Sequence, residues 1–232
     1  MEGEAGFYEF LAAVDRDGAI AETKAVAEAS LSRRRLLALV TGGAGALLLS
    51  RVGEARAASL SKSDVSILNY ALVLEYLQSS FYTEAERNGA LSGETAKAAR
   101  IVGAVERAHV KAFRKLLGLQ AVKRPTFNFQ GTTEQQEPFL KTAVAFEDLA
   151  VAAYKGQAPK LQSKPVLVAA VGIHSVEARH AAWMRELFGI TPAVRAFDKP
   201  ASRARIDEIV ASTHFIVKAP KMKSREKPKS TG

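Results

Sequence analysis

The sequence predicts an all-α protein: a four-helix bundle of two helical hairpins joined by a long crossover, with a short C-terminal accessory helix. Three observations lead to this prediction. Between Leu60 and Leu187, apolar residues recur with a helical period and show little strand-like alternation. Four such segments have nearly equal lengths of about 25 residues, or roughly 38 Å. The links within each pair of segments are short, whereas the link between the pairs is long.

The first pair of helices has clear boundary signals. Ser61 or Ser63 is a suitable N-cap for the first helix, which is expected to end before Asn88-Gly89. The second helix is expected to begin at Ser92 and to run to Gly118. The short connection between them predicts an antiparallel hairpin.

The second pair is predicted over 133–156 and 163–189, with Pro138 tolerated because it falls in an opening turn. The intervening segment, Leu119 to Thr132, is long enough to run the length of the bundle. Its alternating stretch over 126–130 is expected to lie extended on the outside. Ser202 to Ala211 predicts the accessory helix. We therefore assign 58–190 to the bundle and 191–217 to an accessory C-terminal segment.

The composition is that of an ordinary globular protein. Of the 232 residues, 47% are apolar and 25% are charged, and none is cysteine. The absence of cysteine excludes disulfides, thiolate metal sites and cysteine nucleophiles. Any metal ion must therefore be held by imidazole and carboxylate groups.

The N-terminal region predicts an export signal. Arg33-Arg34 follows Ser32 and precedes an uncharged run over 36–50 and a small-residue stretch over 55–58. These are the basic, apolar and cleavage parts of such a signal, and the apolar run is shorter than the roughly 20 residues that span a bilayer. The paired arginines resemble a twin-arginine translocation signal. An uncleaved membrane-associated helix and a chance basic-apolar junction are the alternatives.

We therefore assign 1–57 to the leader and export signal, and expect the twin-arginine translocation machinery as a partner. The mature chain is expected to be exported, periplasmic or otherwise extracytoplasmic, with no stable membrane span after processing. The formal charge of the chain is +9, and about half of the mature chain's excess of positive charge lies in 218–232. This segment has six basic residues and one acidic residue and predicts a disordered tail. Since the rest of the mature chain is only mildly basic, we expect no nucleic-acid partner. Binding of the tail to anionic envelope polymers is a weaker hypothesis.

Two Glu-x-x-His motifs carry the chemistry. Glu106-x-x-His109 falls in the second helix and Glu177-x-x-His180 in the fourth. Residues three apart share one helix face, so each motif can offer a carboxylate and an imidazole to one ion. The alternative explanation is that these four side chains form hydrogen-bonded pairs between helices without a metal ion.

The motifs belong to an internal repeat. The two motifs are 71 residues apart, and Glu75 in the first helix precedes Glu147 in the third by 72. Tyr82 and Tyr154 have the same 72-residue separation. The chain is therefore a helical hairpin repeated once. A pseudo-twofold axis then brings four carboxylates and two imidazoles to one level in the bundle, where two divalent ions balance the charge.

One Glu from each of two helices, with a Glu-x-x-His from each of the others, is the ligand set of the ferritin-like di-iron proteins. The chain resembles the ferritin-like superfamily over about 59–190, and is most similar to its exported, desiccation-related bacterial members. The resemblance implies a site for two Fe or Mn ions. It implies that Glu75 and Glu147 are terminal carboxylate ligands and that Glu106 and Glu177 are bridging carboxylates. It also implies that His109 and His180 are the terminal imidazole ligands.

The expected function is redox chemistry on dioxygen or peroxide at this dinuclear centre. A non-enzymatic stress or desiccation protein, with a structural or unused metal site, is the alternative. The sequence does not decide between Fe and Mn, between an oxidase and a peroxidase, or whether the chain forms a homo-oligomer. Core packing is favoured for Tyr82 and Tyr154 over two alternatives, hydrogen bonding to the ligands and a redox-active role. His174 is a weaker candidate for an extra ligand, while Trp183 and His214 are expected to be structural.

Overall fold

The computed structural model describes residues 60–193 and 195–218. The predicted leader and export signal, and the predicted tail beyond Lys218, lie outside the described residues. Within the described part of the chain, no helix is both long enough and apolar enough to cross a membrane.

Helices dominate the fold, which confirms the all-α prediction. The four long helices are α1 (Lys62–Asn88), α2 (Gly93–Leu117), α3 (Gln136–Gln157) and α4 (Lys164–Leu187), followed by a short helix α5 (Arg203–Ser212). Two 3₁₀ turns, Gly118–Gln120 and Ala158–Lys160, follow α2 and α3. The two short strands are β1 (Thr126–Phe127) and β2 (Ile216–Lys218).

The predicted caps of α1 are present. The Ser61 hydroxyl accepts a hydrogen bond from the Asp64 backbone N–H at 3.0 Å, which satisfies one of the free donors of the first turn. Gly89 has a φ of 65° and ends the helix in the left-handed conformation that favours glycine.

Helix α3 begins later than predicted, at Gln136 instead of Thr133. The Thr133 side chain is fully buried, accepts a hydrogen bond from Asn88 at 3.0 Å and donates one to Glu84 at 2.8 Å. Because this hydroxyl bonds to α1, it does not cap α3. Pro138 then falls in the first turn of α3. A backbone N–H in this turn would have no intrahelical acceptor, so the proline costs no hydrogen bond.

The long helices form two hairpins. Helix α1 packs chiefly against α2, and α3 against α4, while α1–α3 and α2–α4 contacts complete the bundle. The crossover runs the length of α1. At one end Asn69 donates to the Gln120 carbonyl at 3.0 Å, and at the other Asn88 bonds to Thr133. Asn88 is 19 positions after Asn69, which corresponds to about 28 Å of helix.

The C-terminal segment is fastened to the crossover. Strand β2 pairs antiparallel with β1, with Phe127 opposite Ile216, and the Asn128 N–H donates to the Phe215 carbonyl at 2.9 Å. Phe215 is buried and its ring packs edge-on against Phe129 and Phe146. This strand was not predicted, and it includes Lys218, the first residue of the predicted tail.

The apolar core falls into two clusters with a polar layer between them. On α2, Val102 belongs to one cluster and Phe113 to the other. Glu106 and His109 lie between these positions and are buried. Burying ionisable side chains at such a depth costs free energy unless they are paired or bind a metal ion.

Candidate metal centre

The polar layer contains all six predicted ligands. None of the six is more than 8% exposed, and the four glutamates are almost completely buried. The structure brings them together as two overlapping groups of four, each with ligand atoms within 4.8 Å of one another. The groups are Glu75, Glu106, His109 and Glu177, and Glu106, Glu147, Glu177 and His180.

The helix geometry explains this convergence. Within α2 and α4 the i,i+3 spacing places each glutamate and its histidine on one inward face. Helices α1 and α3 run antiparallel, so that Glu75 and Glu147 approach the centre from opposite sides. Each of them completes a different group, whereas Glu106 and Glu177 belong to both.

The imidazoles lie close to the carboxylates of several helices. His109 Nδ1 is 3.3 Å from a Glu75 oxygen and 3.2 Å from a Glu177 oxygen. His180 Nδ1 is 3.0 Å from a Glu106 oxygen and 3.5 Å from a Glu147 oxygen. Each histidine therefore faces carboxylates of at least two helices through its Nδ1 atom.

Eight ligand atoms in the cluster are buried and lack a hydrogen-bond partner of acceptable geometry. They are Glu75 Oε2, both oxygens of Glu106, His109 Nδ1, Glu147 Oε2, both oxygens of Glu177, and His180 Nδ1. Buried polar atoms without partners are costly and rare, and they call for a specific explanation. Oxygen and imidazole donors facing one another suit a divalent transition metal such as Fe or Mn. The residues present thus fit the metal site that the sequence predicted.

Two tyrosines hold the terminal carboxylates from across the bundle. The Tyr82 hydroxyl of α1 donates to Glu147 Oε1 at 2.6 Å, and the Tyr154 hydroxyl of α3 donates to Glu75 Oε1. The sequence favoured core packing alone for these residues, and that interpretation is incomplete. Antiparallel packing of α1 and α3 gives each tyrosine the glutamate of the other repeat.

Burial and neighbouring charges shift the pKa values of the carboxylates in different directions. Burial raises the pKa of Glu75 from 4.5 to about 7, although His109 opposes the rise. Burial, followed by the charge of Glu106, raises the pKa of Glu177 well above its ordinary value. Burial would also raise the pKa of Glu106, but both imidazoles outweigh it and hold that pKa well below its ordinary value. The cluster therefore retains protons when no cation is bound.

The neighbouring carboxylates favour the protonated form of both histidines. Burial alone would lower their pKa, but the neighbouring carboxylates outweigh it. The charge of Glu75 contributes most to raising the pKa of His109 well above its ordinary value. Glu106 and Glu147 raise the pKa of His180 to about 10. Ligation of a cation by these nitrogens therefore releases protons.

The weaker histidine candidate is not part of the site. His174 is partly buried, but it belongs to neither group of converging ligand atoms. Trp183 packs against the apolar core, and His214 is exposed at a positive φ of 54° after α5.

Comparison with known proteins agrees with this geometry. The comparison with curated proteins found no significant match. A family model described as a ferritin-like domain matches residues 63–189, which is more than half of the chain and covers all four long helices except the first residue of α1. The chain therefore belongs to the ferritin-like domain family.

Proposed function

We propose that this chain is an exported ferritin-like protein that binds a dinuclear Fe or Mn centre and acts on dioxygen or peroxide. The observation that carries the proposal is the set of eight buried, unpartnered donor atoms. They divide into two groups that share two carboxylates. A site for a single ion would leave half of these donors uncompensated.

The donor groups assign each residue a place. Glu75 and His109 would hold one ion, and Glu147 and His180 the other. Glu106 and Glu177 offer two free oxygens each and would contact both ions. The four carboxylates balance two divalent cations in charge, which favours a pair over a single ion in this buried setting.

Hydrogen bonds from the protein orient two of the glutamates of this site. Each tyrosine hydroxyl engages one oxygen of a terminal glutamate and leaves the other free. This arrangement favours a single metal contact from each terminal carboxylate. The apolar clusters on either side exclude bulk water, which strengthens electrostatic interactions at the centre. When bound, a pair of redox-active ions supplies electrons to an oxidant such as dioxygen or peroxide.

Export is a separate part of the proposal. It rests on the residue pattern of 1–57, which resembles a twin-arginine signal, with the translocation machinery of that pathway as the partner. Because that pathway carries folded proteins, the ions would be loaded before export. Replacing Arg33-Arg34 by Lys-Lys in the full chain should retain the protein in the cytoplasm. Unchanged export would contradict this part alone.

Metal titration tests the centre. Protein freed of metal and titrated with Mn(II) or, without oxygen, Fe(II) should bind two ions per chain. Glu106→Gln should weaken binding of both ions, because Glu106 belongs to both groups. Glu94→Gln is the matched control, since Glu94 is an exposed glutamate on the same helix. A stoichiometry well below two ions per chain, or equal binding by the two variants, would contradict the proposal.

The reaction is tested separately, by oxygen or peroxide consumption of the Fe- or Mn-loaded protein. We expect consumption that Glu106→Gln abolishes and Glu94→Gln retains. Two bound ions without any consumption would overturn the redox part of the proposal. That result would favour the alternative of a structural metal site in a stress or desiccation protein.

A further inference from the structure

A strongly basic groove lies along the first hairpin, and none of the six candidate metal ligands lines it. Its volume is about 710 Å³, and it runs between α2 and the start of the crossover. Six basic residues and no acidic residue line it, namely Arg107, Lys111, Arg114, Lys115, Lys123 and Arg124. Its remaining lining includes Tyr76 and the short apolar side chains Val110, Ala121 and Val122.

Five of these cations have no carboxylate partner among the described residues. Arg107 is the exception, because it forms an ion pair with Glu86 at 2.8 Å. Arg124 donates to the neutral Ser80 hydroxyl at 2.7 Å, which does not neutralise its charge. Like charges held side by side repel one another and lower stability. A cleft lined by charges of one sign concentrates ligands of the opposite charge.

The internal repeat offers a comparison within the same molecule. Arg114 corresponds to Arg185 in the second hairpin, and Tyr76 corresponds to Asp148. In the second hairpin, Arg185 and Asp148 form a two-fold hydrogen-bonded ion pair with distances of 2.9 and 2.6 Å. In the first hairpin the aromatic Tyr76 replaces the carboxylate, so Arg114 is left without that partner.

The other groove positions of α2 differ in the same direction. Lys111 corresponds to Ala182, and Lys115 corresponds to Glu186. The second hairpin therefore lacks the excess of positive charge at the equivalent surface. The basic groove is thus a property of one repeat, and neither the fold nor the metal centre requires it.

We propose that this groove binds a small, multiply charged phosphate anion. The volume lies within the range of about 300–1,000 Å³ that is typical of small-molecule pockets. Arginine and lysine together supply both forked and point-like donors to phosphate oxygens. The apolar floor, formed around the buried Tyr76 ring, provides a surface on which the uncharged part of a phosphorylated molecule can lie.

Calorimetric titration of the full chain with tripolyphosphate tests this proposal, with ATP and inorganic phosphate as separate arms. We expect saturable binding at one site, weakened by added salt, with inorganic phosphate the weakest ligand. Tighter binding of ATP than of tripolyphosphate would assign the floor to an organic group. Equal affinities for ATP and tripolyphosphate would show that the groove recognises the phosphates alone. Either result supports the proposal.

The test variant is Lys111→Ala/Lys115→Glu, which introduces the residues of the second hairpin. Its control is Lys141→Ala/Lys160→Glu, the same change in charge at two exposed lysines outside the groove. The groove variant should bind tripolyphosphate at least about tenfold more weakly, since each charge-assisted hydrogen bond contributes substantially, and the control should bind normally. All four positions are exposed, and circular dichroism checks that both variants fold.

Equal binding by the groove variant and the control would overturn the proposal. So would binding that disappears only when 219–232 are deleted, since the basic tail would then be the site. Binding of duplex DNA that is tighter than that of tripolyphosphate and grows with its length would replace the small anion by a nucleic acid. Two metal ions bind in every one of these cases if the proposed centre is correct, so the two proposals fail independently.

Discussion

Replacing the two site tyrosines by phenylalanine tests how the centre is held in place. In Tyr82→Phe the ring stays in the core, but Glu147 Oε1 loses its 2.6 Å hydrogen bond and becomes another buried oxygen without a partner. A hydrogen bond to a charged group contributes about 1.5–3 kcal/mol. We therefore expect the free energy of unfolding of the metal-free protein to fall by about 2 kcal/mol. Tyr154→Phe should have a similar effect through Glu75.

Tyr70→Phe is the matched control. Tyr70 is another buried tyrosine of α1, but its hydroxyl has no hydrogen-bond partner. Its contact with the Arg203 guanidinium is with the face of the ring, which phenylalanine retains. Tyr70→Phe should therefore be neutral or stabilising. Chemical denaturation of the three variants gives the comparison, and equal stabilities of Tyr82→Phe and Tyr70→Phe would refute the assigned role of the hydroxyl.

Three further predictions concern packing, pH and metal. Gly156→Ala should destabilise the fold, because an added Cβ would overlap the Ala201 carbonyl. Gly172→Ala on α4 is the control: an added Cβ there meets open space, so the change should be neutral or stabilising. Thermal melts of both variants measure the difference. The raised pKa of His180, about 10 against 6.5, means that its stabilising contribution is complete below pH 6.5 and is lost as the pH rises towards 10. The unfolding free energy of the metal-free protein should therefore fall between pH 7 and 10 in denaturation experiments, and a flat profile would contradict the assignment. Loading with Mn(II) should raise the melting temperature, and a chelator should reverse the rise; an unchanged melting temperature would count against a buried site.

The repeat made the candidate site predictable from the sequence. A single Glu-x-x-His motif is a weak signal, but its recurrence after 71 residues, together with Glu75 and Glu147 at a spacing of 72, identified six positions. Helical periodicity then placed them on inward faces. The structure brings all six together because two equivalent hairpins must pack with the same faces inward.

The partners of these residues could not be predicted in the same way. The bond from Tyr82 to Glu147 depends on the antiparallel alignment of α1 with α3, which local patterns do not specify. The late start of α3 has a similar cause, since the buried Thr133 hydroxyl bonds to Asn88 and Glu84 of α1. A favourable N-cap residue was thus used for a tertiary contact.

Strand β2 also could not be predicted from local sequence patterns. It has three residues, Ile216–Lys218, too few to show alternation, and its pairing depends on the distant crossover strand. The basic groove could not be predicted from the sequence because its charged residues are spread over α2 and the crossover. Counting charges along the sequence identifies the C-terminal tail as the basic region instead.

The central claim is that six side chains from two repeats enclose a pair of cations. Anomalous X-ray diffraction from crystals of the Mn-loaded protein measures this most directly. The account predicts two peaks per chain within the bundle, roughly 3.5–4 Å apart as in other two-metal sites, with Glu106 and Glu177 contacting both. A single peak in the bundle, or peaks on its surface only, would contradict it.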